Sequence, residues 1–227
     1  MLSSLPSFAN LVVAFLLGAG AVANAQDAKP GDPAAGEKKA AMCAGCHSIP
    51  RYQASFPEVY KVPKIAGQGA KYIVSALTAY RKGDRKHPTM RGIAGSLSDQ
   101  DMADLGAYFE QLGKSGDDDT AAQGAAHSEP PTQVAKLLSQ ANCASCHGAN
   151  FSQPIDPSYP KLAGQHADYL YAALKSYQTD HNPLVGRNNA IMMGMARPFT
   201  HPEIKALASY LSSLPGELKT VQQSRFR

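Results

Sequence analysis

The 227-residue sequence has no tryptophan, only four cysteines and 7% aromatic residues. It has no basic run interleaved with aromatics, which argues against a nucleic-acid partner, because that binding needs a positive surface with stacking platforms. Its longest apolar run, Leu11 to Val22, falls short of the roughly 20 residues that span a bilayer. No Lys or Arg stands ahead of that run, and residues 116–130 also lack both while holding four acids. The remainder, 44% hydrophobic and 18% charged, is ordinary for a soluble globular protein. Halves of about 100 residues would each bury only a modest core.

The scarce cysteines are all spent in two runs, Cys43-Ala44-Gly45-Cys46-His47 and Cys143-Ala144-Ser145-Cys146-His147. Cys-x-x-Cys-His is the spacing of c-type haem attachment. Two thiols a helical turn apart can each add to one vinyl group on a haem edge, and the next histidine can bind iron from the proximal side. One such run could be a zinc half-site or chance; two with the same His point to two haems. Four cysteines in an exported chain could instead form disulfides, but a His fixed after each pair has no role in that reading. A haem is an apolar plate, so a core poor in aromatics fits one built partly from cofactor. The charge of +4 divides as +4 over residues 26–115, −4 over 116–130 and +4 over 131–227. Haem propionates, roughly four charges in all, would offset the sum.

The halves repeat. The Cys motifs lie 100 positions apart, and Pro63-Lys64-Ile65-Ala66-Gly67-Gln68 recurs 97 positions on as Pro160-Lys161-Leu162-Ala163-Gly164-Gln165. Leu105 and Tyr108 recur 102 positions on as Leu207 and Tyr210. Elements keep their order while loops absorb the length changes, which means two tandem domains and not a solenoid. The expected organisation is a secretory signal over 1–25, a domain over 26–115, a linker over 116–131 and a second domain over 132–227. Ala23-Asn24-Ala25 is an Ala-x-Ala cleavage site before Gln26. An uncleaved anchor is the alternative.

The expected architecture is all-α. Asp32-Pro33 starts a helix that runs into Met42. Further helices are expected over Gly69–Lys82, from Ser98 with Asp101 as a capping box to Leu112, over Val134–Ala141, over Ala167–Gln178, and from Thr200 with Glu203 to Leu214. Arg81–Arg91 and Thr179–Pro198 read as loops, and the tail to Arg227 as frayed.

A stable electron-transfer haem takes a second axial ligand, usually Met or His. The place to look is the segment before each last helix. Met90 lies four residues before Ala94, and Met192 four before Ala196, so the repeat pairs Met90 with Met192. Met193 and Met195 are rivals of Met192, and His87 leaves a bis-histidine site open. Met102 reads as core, Met42 as packing beside the motif, and His127, His166, His181 and His201 as surface imidazoles. Pro63 and Pro160 are either simple turn prolines or rigid carbonyls accepting from the proximal histidines' other ring nitrogen.

This set of features resembles the dihaem cytochrome c4 family over about Asp32 to Leu214: two Cys-x-x-Cys-His domains, two Pro-Lys-x-Ala-Gly-Gln motifs and two Met-bearing segments before a capped helix. The resemblance implies two class I cytochrome c domains facing each other about a pseudo-twofold. It also implies two covalent haem c groups with six-coordinate iron, export to the periplasm, and the carbonyl role for Pro63 and Pro160. It implies an electron-transfer protein and not an enzyme, with His47, Met90, His147 and Met192 on iron and Cys43, Cys46, Cys143 and Cys146 holding the rings. The expected function is one-electron carriage between a quinol-oxidising complex or dehydrogenase and a terminal oxidase. A cytochrome subunit of a flavoprotein sulfide or alcohol dehydrogenase is the alternative, and a dihaem peroxidase is disfavoured by a Met in both segments. Loose membrane association is left open. The second domain lacks a glycine matching Gly36, so its first and last helices are expected to cross less closely.

Overall fold

The computed structural model describes residues 29–114 and 129–223. The expected signal and cleavage site, most of the linker, and His127 lie outside the described residues. Helices dominate. The amino-terminal half holds α1 (Pro33–Lys39), α2 (Ala41–His47), α3 (Ala70–Lys82), α4 (Pro88–Gly95) and α5 (Asp99–Leu112). The carboxy-terminal half holds α6 (Thr132–Gln140), α7 (Cys143–His147), α8 (Ala167–Ser176), α9 (Ala190–Ala196) and α10 (His201–Ser213). Two-residue strands β1 (Gln53–Ala54) and β2 (Tyr60–Lys61) pair within the first half, while β3 (Arg85–Lys86) and β4 (Gly186–Arg187) pair across the halves. Among the described residues no helix is long and apolar enough to cross a membrane.

Local chemistry sets the helix ends. The Asp32 carboxylate accepts from Ala34 N–H at 2.9 Å, and Pro33 follows at the first helical position. The expected continuous helix to Met42 divides at Ala40, a buried residue between α1 and α2. Both expected capping boxes form, Ser98 with Asp101 and Thr200 with Glu203. Gly83, with φ +86°, ends α3 in the left-handed conformation glycine tolerates.

Each half buries its own core. Ile73, Leu77, Met102, Leu105 and Phe109 fill the first, so Met102 is core as expected. Val134, Leu137, Leu170, Ile204, Leu207 and Leu211 fill the second. The helix crossings differ. A Cβ on Gly36 would sit 2.1 Å from the Asp104 carbonyl oxygen, so α1 and α5 touch backbone to backbone. In the second half α6 packs on the core through the side chains of Val134 and Leu137.

Asp104 has no sequence signature of a core residue, yet it is 3% exposed. Its carboxylate accepts from Asp32 N–H (3.0 Å), Lys39 Nζ (2.8 Å) and Gln100 Nε2 (2.8 Å), tying α1 to α5. The Lys39 ammonium holds both neighbouring carboxyls low, Asp101 at about 2 and Asp104 below its usual value. Depressed carboxylates add stability above their unfolded range near pH 4 and lose it as pH falls through the folded values. The amino-terminal half is therefore expected to lose helical circular dichroism between about pH 4 and pH 2. Asp104→Asn should flatten that limb and cost about 1–2 kcal/mol at neutral pH by chemical denaturation.

The tail departs from expectation. Leu218 is 3% exposed, Lys219 N–H donates to the Ala66 carbonyl at 2.9 Å, and Gln223 Nε2 donates to the Tyr108 hydroxyl at 2.9 Å. Up to Gln223 the chain after α10 is strapped to the first half and not frayed. Leu218 and the backbone bond to Ala66 hold it there, features with no helical or strand period to read.

Candidate haem sites

Each Cys-x-x-Cys-His run sits on a short helix, α2 and α7, so the two cysteines lie a turn apart on one side. None of the four cysteines is in a disulfide. Burial pushes the Cys43 thiol up to about 11 and the Cys143 thiol above its usual value. Both pack against their half's apolar core.

His47 Nδ1 lies 2.8 Å from the Pro63 carbonyl oxygen, and His147 Nδ1 lies 3.0 Å from that of Pro160. A carbonyl can only accept, so Nδ1 carries the proton in both rings and Nε2 keeps its lone pair. Burial pulls both imidazoles below their usual pKa, only partly opposed by these hydrogen bonds. Two neutral rings with fixed tautomers are what iron ligation needs.

The expected loops each run into a short helix, α4 or α9, and that helix carries the methionine. Met90 is the third residue of α4 and Met192 the third of α9. The His87 side chain accepts from Met90 N–H at 3.3 Å, and the Asn189 side chain from Met192 N–H at 3.0 Å. Caps and methionines keep the 102-residue offset, so Met90 and Met192 hold equivalent places. The sequence hides these helices because they are short and rich in Gly and Met, although Pro88 at the first position of α4 is a start signal that reading it as a loop proline overlooks. Met90 packs on the same apolar cluster as Cys43. Met192 and Met193 are half-buried, and Met195 is exposed. His87 is occupied as a cap. Met42 is 54% exposed and packs less than expected. His181 and His201 are exposed as expected, whereas His166 is half-buried, and burial brings its pKa down to about 4.

Between the halves lies a polar cluster the motifs do not reveal. Arg85 is 9% exposed, with its Nη1 3.1 Å from the Tyr72 hydroxyl, its Nη2 2.5 Å from that of Tyr169, and its Nε without a partner. Arg187, its register partner across β3 and β4, donates to the same Tyr169 hydroxyl at 3.2 Å. Neither guanidinium has a carboxylate partner among the described ion pairs. Buried cations call for anions, and the propionate edge of a haem is an anion of the right kind. With paired thiols and a neutral His on each side, the residues present fit two haems. A signal for this cluster does exist in the sequence: Arg85 and Arg187 share the 102-residue offset, and Tyr72 and Tyr169 the 97-residue one.

Comparison with known proteins agrees with this geometry. The cytochrome c family model matches residues 33–113 and again 132–215. Cytochrome c4 of Pseudomonas aeruginosa is 32% identical over 208 residues, covering 90% of this chain and 98% of the relative. A thiosulfate dehydrogenase electron acceptor of Stutzerimonas stutzeri is 31% identical over 199 residues, 82% of this chain and 85% of the relative. The crystal structure of reduced recombinant cytochrome c4 from Pseudomonas stutzeri superposes with a TM-score of 0.56 at 28% identity, covering 81% of this chain and 99% of that one.

Proposed function

The chain belongs to the cytochrome c4 family, and from that premise we propose that it carries single electrons in the periplasm from a quinol-oxidising complex or a dehydrogenase to a terminal oxidase. The family consists of electron-transfer proteins and not enzymes, and the two Cys-x-x-Cys-His domains carry two covalent haem c groups. Bound haem iron supplies a one-electron couple. Cys43 and Cys46 hold one ring and Cys143 and Cys146 the other. His47 with Met90 would hold one iron, and His147 with Met192 the other. Arg85 and Arg187 would receive the ring carboxylates. The proposed chain organisation is a signal cleaved after Ala25, domains over 26–115 and 132–227, and a linker between them.

The observation that carries this reading is the matched pair of histidine–carbonyl bonds, His47 to Pro63 and His147 to Pro160. A proton held at Nδ1 leaves the Nε2 lone pair free to bind iron, and a methionine thioether as second ligand would leave no place for substrate. Neutral, soft sulfur favours ferrous iron and raises the potential. Met192→Ala is expected to convert one haem to high spin and admit carbon monoxide there, while Met193→Ala leaves the spectrum unchanged. The opposite pattern assigns the ligand to Met193.

A second reading is supported by the thiosulfate dehydrogenase electron acceptors among the relatives. In it the protein is the cytochrome subunit of a dehydrogenase complex and accepts electrons within it. Purification from its native source separates the two: a stoichiometric dehydrogenase in the same fraction supports the second, and a free protein oxidised rapidly by oxidase-containing membranes supports the first.

A further inference from the structure

The two halves grip each other through one reciprocal arrangement. Gln165 Oε1 accepts from Lys64 N–H at 2.9 Å, and its Nε2 donates to the Lys64 carbonyl at 2.9 Å. Symmetrically, Gln68 Oε1 accepts from Lys161 N–H at 2.9 Å, and its Nε2 donates to the Lys161 carbonyl at 3.1 Å. Each glutamine is 4% exposed, so these bonds are made out of water, where a hydrogen bond is electrostatically stronger. Each side-chain amide pairs with a lysine backbone as a neighbouring strand would, and the reciprocity is that of a twofold contact.

The peptide each glutamine grips is the one that holds the opposite half's histidine. The Pro63 carbonyl and the Lys64 N–H belong to a single peptide unit. Its oxygen accepts from His47 Nδ1 at 2.8 Å, while its nitrogen donates to Gln165 across the interface. The Pro160–Lys161 peptide does the same between His147 at 3.0 Å and Gln68. Hydrogen bonds in a chain polarise one another. Drawing on the N–H end of an amide pushes electron density onto its oxygen and makes it a better acceptor. A better acceptor draws harder on the imidazole Nδ1–H and makes Nε2 more basic. Proline contributes in a second way: its fixed φ removes one of the backbone torsions that could swing this peptide.

We infer that Gln165 and Gln68 are positioning residues for the other domain's iron: through the Pro–Lys peptide, each tunes the proximal histidine of the half it does not belong to. This rests on His47 and His147 being the axial ligands. A more basic histidine favours ferric iron, so each glutamine lowers the reduction potential of the opposite haem.

The test uses the full dihaem protein carrying Gln165→Met or Gln68→Met, which keep the side chain's length and remove the oxygen. Each haem is followed through a redox titration by its own paramagnetically shifted methyl resonances. With Q165M the amino-terminal haem is expected to rise in potential while the carboxy-terminal haem stays; with Q68M the pattern reverses. The His47 Nδ1 proton should exchange faster with deuterium in Q165M only. If Q165M fails to assemble, Q165E, which keeps an oxygen towards Lys64 N–H, is expected to retain slow exchange at His47. Equal shifts of both haems in either variant reveal a general loosening and overturn the inference. So do two unmoved potentials with unchanged His47 exchange. Failure of the ligand assignment itself has a different signature: a His47→Ala protein whose oxidised spectrum matches the parent.

Discussion

Replacing His47 with alanine is expected to open one iron site and leave the other closed. About half of the low-spin absorption of the reduced protein should be lost, and carbon monoxide should bind with a stoichiometry of one per chain. The reason lies in what surrounds His47. Its Nδ1 is fixed by Pro63 at 2.8 Å, and His87, three residues before Met90, is already spent capping α4 through its bond to Met90 N–H. His147→Ala should do the same at the second site, because the Pro160 contact is equivalent. The two replacements should add when combined, since each acts within its own apolar core.

The largest effect on stability is expected from Gly36→Ala. The added Cβ would stand 2.1 Å from the Asp104 carbonyl oxygen and 2.8 Å from the Tyr108 Cβ, neither of them the end of a flexible side chain. The helices must part, which weakens the Asp32 and Lys39 bonds to Asp104 as well. Overpacking of this kind costs about 3 kcal/mol. The loss should appear in thermal unfolding as an earlier transition of the amino-terminal half. Lys136→Ala is the matched control, because Gly36 and Lys136 each lie seven residues before the first cysteine of their motif. Lys136 is exposed on α6, so its replacement should change stability by no more than about 0.5 kcal/mol.

The contrast between these sites separates what the sequence makes legible from what only the folded chain brings together. The haem-bearing runs, the duplication, both capping boxes and the cores of α5 and α10 are legible because they depend on short spacings: Cys to Cys, cap to third residue, and apolar residues at helical period. The pairing of Met90 with Met192 comes from the repeat register, and the structure adds that both stand third in a capped helix. Less legible is everything made by residues distant in sequence. Asp104 as a buried anchor depends on Asp32 and Lys39, more than 60 residues away. The Arg85–Arg187 pair, the reciprocal glutamines and the strapped tail all form between halves, where no local period exists. For two of these the repeat still holds the clue: an arginine and a glutamine kept in both copies have no reason to recur in a solvated loop.

Two closed iron sites, as proposed, would make this protein an electron carrier and not a catalyst. A spectroscopic redox titration of the exported, purified protein, repeated under carbon monoxide, tests it most directly. Two one-electron steps, a low-spin spectrum in both oxidation states, and identical curves with and without the gas are expected. A high-spin iron in the parent protein, or rapid carbon monoxide binding to either haem, would contradict it.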